Sequence, residues 1–148
     1  MKKNLLSLVI ISIFLSSFSL IQSQEDIWLT LQKIDWEDKF DKELEMKVPF
    51  PIFSEEVREL GGKEISIKGF VLPIDTDDEN SMLISYYPFA NCFFCGGAGP
   101  ETIMEVFMDV PREVNDETVT FKGILKLNGD ATGMIYQLKD AVEVETID

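Results

Sequence analysis

The sequence predicts a mainly β fold: a small antiparallel barrel of about five or six strands, similar to oligonucleotide/oligosaccharide-binding (OB) barrels, with a β-sandwich as the alternative. The prediction rests on two observations. Apolar and β-branched residues alternate in several short runs after Gly62, which is typical of strands that bury one face. The connections between these runs are too short, or too rich in Gly and Pro, for the helix that joins parallel strands.

The predicted strands lie at 64–72, 81–87, 103–110, 119–127, 134–138 and 141–144, the last either a continuation of its neighbour or a separate strand. Two of the runs carry a glycine in mid-strand, Gly69 and Gly123, where barrels bend sharply. Asn128-Gly129-Asp130 is a strong turn signal between two of the runs. These signals together favour a barrel over a β-sandwich.

A secretory signal peptide is expected at residues 1–23. Lys2 and Lys3 supply its basic start, and the stretch 5–21 is an apolar run without a charge. The run is serine-rich and shorter than the roughly 20 apolar residues of a spanning helix. We therefore expect cleavage after Ser23 and a soluble exported protein, periplasmic or secreted, with no integral membrane segment.

The rest of the chain is expected to divide at residue 62. Residues 24–62 form a helical and extended segment that packs on a barrel domain at 63–148. An amphipathic helix is predicted near the start of the first segment, because its apolar residues have helical spacing. Those residues are Ile27, Trp28, Leu31 and Ile34, with Trp36 and Phe40 following.

A second short helix is predicted just before the barrel. Residues 48–53 contain two prolines, which hold the chain extended. Ser54 then has the character of an N-cap, and Gly61-Gly62 end the helix at Leu60. The barrel domain therefore carries one or two short N-terminal helices.

Charge and composition exclude several classes of function. The chain has 13 basic and 27 acidic residues, a net charge of −14, and no histidine. Such a surface repels nucleic acids and anionic lipids, whose phosphates are bound by clustered Lys and Arg. The lack of histidine removes Ser–His–Asp and Cys–His catalysis and the commonest zinc ligand.

Two other features have simpler structural explanations. The acidic stretch 75–80 lacks the Gly and Glu that a calcium-binding loop needs at its sixth and twelfth positions, so it is interpreted as a turn. Methionines can be soft copper ligands, but those of this chain lie in strand patterns, where methionine ordinarily fills a core. They are Met82, Met104, Met108 and Met134.

Cys92 and Cys95, in a glycine-rich loop, are the one feature that points to specific chemistry. Three interpretations stay open. The pair can form a local disulfide, worth roughly 2 kcal/mol for so short a loop. It can hold a soft metal ion, zinc or copper, although zinc wants four ligands and the chain offers only two thiolates and no histidine. It can also take part in redox catalysis.

The redox interpretation meets an obstacle in the residues that follow the pair. A Cys-x-x-Cys after a hydrophobic strand resembles the active site of thioredoxins, whose cysteines lie at a helix N-terminus. Here Gly96, Gly97 and Gly99 take the positions of the first helical turns, and each costs about 1 kcal/mol relative to Ala. The chain after Cys95 is moreover predicted to form strands and turns.

The rest of the loop supplies candidate site residues of another kind. Successive glycines allow a concavity lined by N–H groups that receives an anion or a carbonyl, and aromatic residues crowd apolar surface beside it. An equally good interpretation is a folded plug over one end of the barrel. The candidates for this loop or pocket are Phe93, Phe94, Gly96, Gly97, Gly99, Pro100 and Glu101.

At these residues the chain resembles an uncharacterised family of small exported bacterial domains of unknown function. The resemblance lies in Lys63-x-Ile65-x-Ile67-x-Gly69-Phe70-x-x-Pro73 and in Asn91-Cys92-Phe-Phe-Cys95-Gly-Gly-Ala-Gly-Pro100-Glu101. It extends from about Trp28 to the C-terminus and implies a periplasmic or secreted, β-rich domain without an established reaction. Relatives carry one cysteine followed by histidine and a proline run in this loop. This chain departs from that pattern, so a metal role based on histidine does not carry over.

The expected function is therefore non-enzymatic: an exported binding or envelope-associated domain of unknown ligand, with an envelope protein as its partner. Cys92 and Cys95 are expected to be linked by a disulfide or to hold a soft metal jointly. The alternatives are a thiol–disulfide oxidoreductase and a protein–protein interaction module. No catalytic residue and no oligomeric state are assigned.

Overall fold

The structure is a computed structural model that describes residues 24–42, 44–110, 118–130 and 133–145. The signal peptide expected at 1–23 lies outside these residues and stays a prediction. The described elements are α1 Gln24–Leu31, β1 Ile34–Asp41, β2 Met46–Phe53, α2 Glu55–Leu60, β3 Glu64–Val71, β4 Ser81–Ser85, β5 Ile103–Met108, β6 Thr118–Leu127 and β7 Tyr136–Glu143.

Five strands close a barrel, which confirms the mainly β fold class. The strand order is β3-β4-β5-β7-β6, and β6 pairs in turn with β3. The pairing is antiparallel except between β5 and β7, which run parallel. This corrects the all-antiparallel expectation for a geometric reason: strand direction cannot alternate all the way round a closed ring with an odd number of strands. The residues near 141 continue β7 rather than form a strand of their own.

The two mid-strand glycines lie where the barrel wall makes close contacts. A Cβ on Gly123 would lie 2.7 Å from the carbonyl oxygen of Lys139, and a Cβ on Gly69 would lie 3.0 Å from Cβ of Ile84. The register between β6 and β7 shifts between Lys122 and Ile124. Gly123 therefore lies at an irregularity where the neighbouring backbone comes too near for a side chain.

Helix α1 packs on the barrel through its buried apolar side chains. Trp28 and Leu31 are buried in the main core, which the inward residues of the barrel complete. The indole N–H of Trp28 donates a hydrogen bond to the carbonyl oxygen of Lys68 at 2.7 Å. The buried hydroxyl of Tyr136 donates to the carbonyl oxygen of Leu31, the last residue of α1. Because both bonds join residues distant in sequence, α1 is fixed to the barrel wall.

The predicted N-terminal helix is present but ends at Leu31. Ile34, which was expected on the helical face, and Trp36 and Phe40, which were expected to follow it, lie in β1 instead. β1 pairs antiparallel with β2 as a separate two-stranded sheet. The two prolines of β2 explain this result, because they hold β2 extended. An extended β2 can form backbone hydrogen bonds with residues 34–41, whereas a short helix at those residues would have no such partner.

Helix α2 follows the prediction made from its caps. The Ser54 hydroxyl accepts a hydrogen bond from the N–H of Val57 at 3.3 Å, and Gly61 stands at the C-cap. Glu55 and Glu56 lie in the first turn, where acidic side chains interact favourably with the helix dipole. Among the described helices, none has the length and apolar character needed to cross a membrane.

The methionines occupy core positions rather than a ligand cluster. Met82 and Met104 are buried in the main core. Met108 is half-buried against the same core, while Met134 packs against a second, smaller cluster. That smaller cluster lies under the loop that carries the two cysteines.

Candidate functional site

The candidate site is the connection from β4 to β5, residues 86–102, called here the cysteine loop. Three short 3₁₀ turns build it, at Phe89–Asn91, Phe93–Cys95 and Pro100–Thr102. The turn after Cys92 ends at Gly96, whose φ of 75° places it in the left-handed region that favours glycine. The glycines thus limit the cysteine pair to a single turn, so no helix N-terminus is available to lower a thiol pKa.

Cys92 anchors the cysteine loop to the barrel. Its side chain is fully buried in the second cluster together with Leu72, Leu83 and Ile103. Its carbonyl oxygen accepts hydrogen bonds from the N–H groups of Cys95 at 3.1 Å and Gly97 at 3.2 Å. Cys92 therefore organises the loop both as a core side chain and as a backbone acceptor.

Cys95 has the opposite environment. It is exposed, and its thiol donates a hydrogen bond to the carbonyl oxygen of Phe89 at 3.1 Å. Desolvation raises the pKa of this thiol above its ordinary value, and the neighbouring Cys92 raises it further through charge and a hydrogen bond. Both cysteines are free thiols in the structure. The shift of the Cys95 pKa disfavours the thiolate, which is the form of cysteine that acts as nucleophile or metal ligand.

The glycines of the loop serve close packing. The N–H of Gly96 donates to the carbonyl oxygen of Phe93, and a Cβ on Gly97 would lie 2.5 Å from the carbonyl oxygen of Asn91. A Cβ on Gly99 would overlap the carboxylate of Glu101. The N–H groups of Gly96 and Gly97 are engaged within the loop, so they do not line an open concavity for an anion.

Four aromatic side chains of the loop face solvent. Their exposed fractions are 36% for Tyr87, 46% for Phe89, 38% for Phe93 and 45% for Phe94. Phe93 and Phe94 stack edge to face with ring centroids 5.4 Å apart. We call these four residues the aromatic surface of the cysteine loop. Single exposed apolar residues are common on protein surfaces, whereas Phe93 and Phe94 are exposed and in contact with each other.

The aromatic surface connects to the core through a chain of ring contacts. Tyr87 stacks on Tyr86 with centroids 4.8 Å apart, and Tyr86 contacts the buried Trp28 at 6.0 Å. The Tyr87 N–H also donates to the hydroxyl of buried Ser85 at 3.1 Å. The base of the loop is therefore held at both its backbone and its side chains.

The structure brings all the predicted loop residues into the cysteine loop. Cys92 is buried against the barrel, whereas Phe93, Phe94 and Cys95 are exposed. The sequence did not reveal the part played by two backbone carbonyls: that of Asn91, which requires the glycine at position 97, and that of Phe89, which accepts the Cys95 thiol. The consecutive glycines were the available signal for such a close backbone approach. Within the part of the chain that the structure describes, no three His, Cys, Asp or Glu side chains lie together as a metal site.

Comparisons with known proteins place the chain in no family. No family model matches it, and no curated protein matches it. One similar solved structure is a DUF3299 family protein from Pseudomonas aeruginosa PAO1, at 15% sequence identity and a TM-score of 0.44. The match covers 62% of this chain and 68% of that one. A likeness of this size does not show what the chain does.

Proposed function

We propose that this chain is an exported, non-enzymatic binding domain that holds a protein partner of the cell envelope on the aromatic surface of its cysteine loop. The observation that carries the proposal is the contrast within the loop. Cys92 is fully buried, whereas Tyr87, Phe89, Phe93 and Phe94 keep 36–46% of their surface exposed. Aromatic residues are enriched where protein interfaces have most of their binding energy, since they bury large areas at little entropic cost.

The cysteines act in this proposal as a constraint on the loop. Cys92 and Cys95 flank a single turn of the loop and are both free thiols, and an exported protein meets an oxidising compartment. A Cys92–Cys95 disulfide would hold the loop in its binding conformation and so reduce the ordering cost of binding. A zinc or copper ion held by both sulfurs would have the same effect, although no third His, Cys, Asp or Glu of the described residues lies with the pair.

Site-specific photo-crosslinking tests the binding surface. A photoreactive phenylalanine analogue at position 94 should yield a discrete protein adduct when the protein is irradiated in its native cells. The control places the same analogue at Val142, which is also apolar and 59% exposed but lies on β7, away from the cysteine loop in sequence. The same adducts from both positions, or none from position 94, would contradict the proposal.

Export and the state of the cysteines have their own measurements. The protein recovered outside the cytoplasm should have the mass of a chain that begins at Gln24. Titration of its thiols should find none free if the disulfide has formed, and metal analysis should find zinc or copper if the metal is held instead. Two free thiols with no metal would leave Cys92 and Cys95 as packing residues only.

The enzymatic alternative requires a reactive thiolate. The raised pKa of Cys95 argues against it, because a protonated thiol attacks disulfides slowly. Reduction of insulin by dithiothreitol gives a direct measurement. Acceleration by the wild-type protein, abolished by Cys95→Ser, would replace the binding proposal with an oxidoreductase.

A further inference from the structure

The β1–β2 hairpin contacts the main core at one end, through the partly buried Ile34 and Phe53, and one of its edges is open. Its two strands form a sheet of their own, to which no other strand is paired in the described part of the chain. The six central residues of β1 are all exposed. Isolated hairpins are only marginally stable in water, so a strand as exposed as β1 would gain stability from a further strand.

The prolines of β2 decide which edge of the hairpin can accept another strand. Pro49 pairs with Asp38 and Pro51 pairs with Trp36. Proline has no N–H, so these pairs must be the non-hydrogen-bonded ones, and the ladder bonds come from the alternate residues. Consequently the outward positions of β2 include both prolines, and that edge lacks donors for a further strand.

The outer edge of β1, in contrast, keeps its backbone hydrogen-bond donors. By the same alternation, the N–H and C=O groups of Trp36, Asp38 and Phe40 point away from β2. The turn and loop hydrogen bonds of the described chain involve none of these three backbones. β1 is eight residues long and contains no proline. This is the kind of edge that natural proteins usually cover or interrupt, because it pairs readily with another strand.

The side chains of β1 define the chemistry of a strand that would fit beside it. On one face Trp36 and Phe40 are apolar and 39% and 62% exposed. On the other face lie Asp35 and Glu37, with Lys39 bonded to Glu37 at 3.1 Å. A strand that alternates apolar and basic residues would place its apolar side chains beside the two rings and its basic side chains beside the two carboxylates.

We propose that the outer edge of β1 binds an extended, cationic segment of another protein by adding it to the hairpin as a third strand. Charge complementarity selects a cationic segment, since the chain as a whole carries a net charge of −14. Backbone hydrogen bonds to Trp36, Asp38 and Phe40 give the affinity, and the alternating side chains give the preference. This surface is separate from the cysteine loop and does not depend on the function proposed for it.

A synthetic peptide that alternates lysine and valine over eight residues, the length of β1, tests the proposal. Binding should protect the amide protons of Trp36, Asp38 and Phe40 from exchange. It should also shift the fluorescence of Trp36 to shorter wavelength, whereas Trp28, at 1% exposed, contributes little change. A peptide with its lysines and valines in two blocks should do neither. If neither peptide protects these amides, the proposal is wrong.

Two sets of variants separate the backbone from the charges. Asp38→Pro removes an outward N–H donor without removing a hydrogen bond to β2. Its affinity for the peptide should therefore be about tenfold lower than that of Asp38→Ala. The exposed double variant Asp35→Lys with Glu37→Lys should instead prefer a peptide that alternates glutamate and valine. Equal affinity of this double variant for both peptides would overturn the role of charge. The protein could instead be a dimer that Asp38→Pro dissociates and that the peptide does not disrupt. A second copy of the chain would then be the occupant of this edge, and the proposal would be wrong.

Discussion

Cys92 and Cys95 are close in sequence, yet one is buried among apolar side chains and the other is exposed. This difference predicts unequal effects of the same substitution. With a reducing agent present, Cys92→Ser should lower the free energy of unfolding by about 1–3 kcal/mol, because it buries a hydroxyl among Leu72, Leu83 and Ile103. Cys95→Ser should change it by less than about 0.5 kcal/mol, as is usual at exposed positions.

Urea unfolding with and without the reducing agent distinguishes packing from a disulfide. If the disulfide forms, the oxidised wild-type protein should gain roughly 2 kcal/mol over the reduced protein, while both serine variants should be insensitive to the reductant. Equal destabilisation by the two substitutions under reducing conditions would contradict the burial assigned to Cys92.

Tyr136 gives a second prediction at the scale of a single residue. Burial raises the pKa of its hydroxyl well above the ordinary value, and the Glu101 carboxylate adds to the effect. The unfolded chain therefore releases this proton first. Above about pH 10 the folded state binds more protons than the unfolded state, so stability falls as pH rises, by about 1.4 kcal/mol per pH unit for one group.

Tyr136→Phe isolates this contribution. At pH 8 the variant should be less stable by about 1–2 kcal/mol, because the carbonyl of Leu31 loses its buried hydrogen bond. The difference between wild type and variant should narrow as the pH rises above about 10, since phenylalanine has no proton to release. Urea unfolding at several pH values measures it, and a constant difference would refute the raised pKa.

At the scale of the elements, the barrel depends on a close approach of β6 and β7 at Gly123. An alanine there would have its Cβ 2.7 Å from the Lys139 carbonyl oxygen. Because that neighbour is backbone rather than a flexible side chain, Gly123→Ala should destabilise the protein by about 1–3 kcal/mol.

Gly129 provides the matched control, since a Cβ at that position would meet nothing within 4 Å. Gly129→Ala should be neutral or slightly stabilising, because it restricts only the unfolded chain. Thermal unfolding of the two variants would show whether the local contact at Gly123 decides the outcome. Similar melting temperatures for both would mean that the barrel wall can shift at Gly123.

The barrel strands and α2 could be predicted because their signals are local: alternation, mid-strand glycines and a serine N-cap. β1 could not be predicted in the same way. Trp36 and Phe40 are four positions apart, a spacing that places them on one face of a helix and also on one face of a strand. The structure of this segment is determined by its partner β2, which pairs Trp36 with Pro51. A pattern within one segment does not contain that information.

The site shows the same limit. The cysteine loop was recognised from its composition, and the glycines correctly argued against a helix after Cys95. The direction of each side chain was not predictable, because Cys92 is buried by residues from other parts of the chain, Leu72, Leu83 and Ile103. The exposure of Phe93 and Phe94 follows from that anchoring, since adjacent residues on a tight loop cannot all face the core.

For the whole molecule, closure of the barrel explains the parallel pair that local patterns missed. β6 and β7 form an antiparallel pair, and β6 also pairs with β3. β7 therefore runs in the same direction as β3, and so does β5, which lies two antiparallel steps from β3. The parallel contact is a consequence of five strands closing a ring, and it requires no crossover helix because β6 intervenes in the chain.

The net charge of −14 also affects the whole molecule. Its negative charges repel one another, and this repulsion is stronger in the compact folded state than in the unfolded chain. Salt has two opposing effects. It weakens exposed ion pairs such as Lys33–Glu56 and Lys122–Glu64, each worth about 0–1 kcal/mol. It also screens repulsion among the excess carboxylates, with a Debye length of about 8 Å at 0.15 M. Since acidic residues outnumber basic ones 27 to 13, repulsion should dominate.

We therefore expect the free energy of unfolding to rise by about 1 kcal/mol between about 10 mM and 0.15 M sodium chloride. Urea unfolding curves at each salt concentration, fitted with one common m-value, measure this change in the free energy of unfolding. Choline chloride at equal ionic strength should stabilise equally, because screening depends on charge rather than on the identity of the cation. Stabilisation by sodium alone would indicate a specific cation site, and a loss of stability with either salt would mean that the exposed ion pairs outweigh the repulsion.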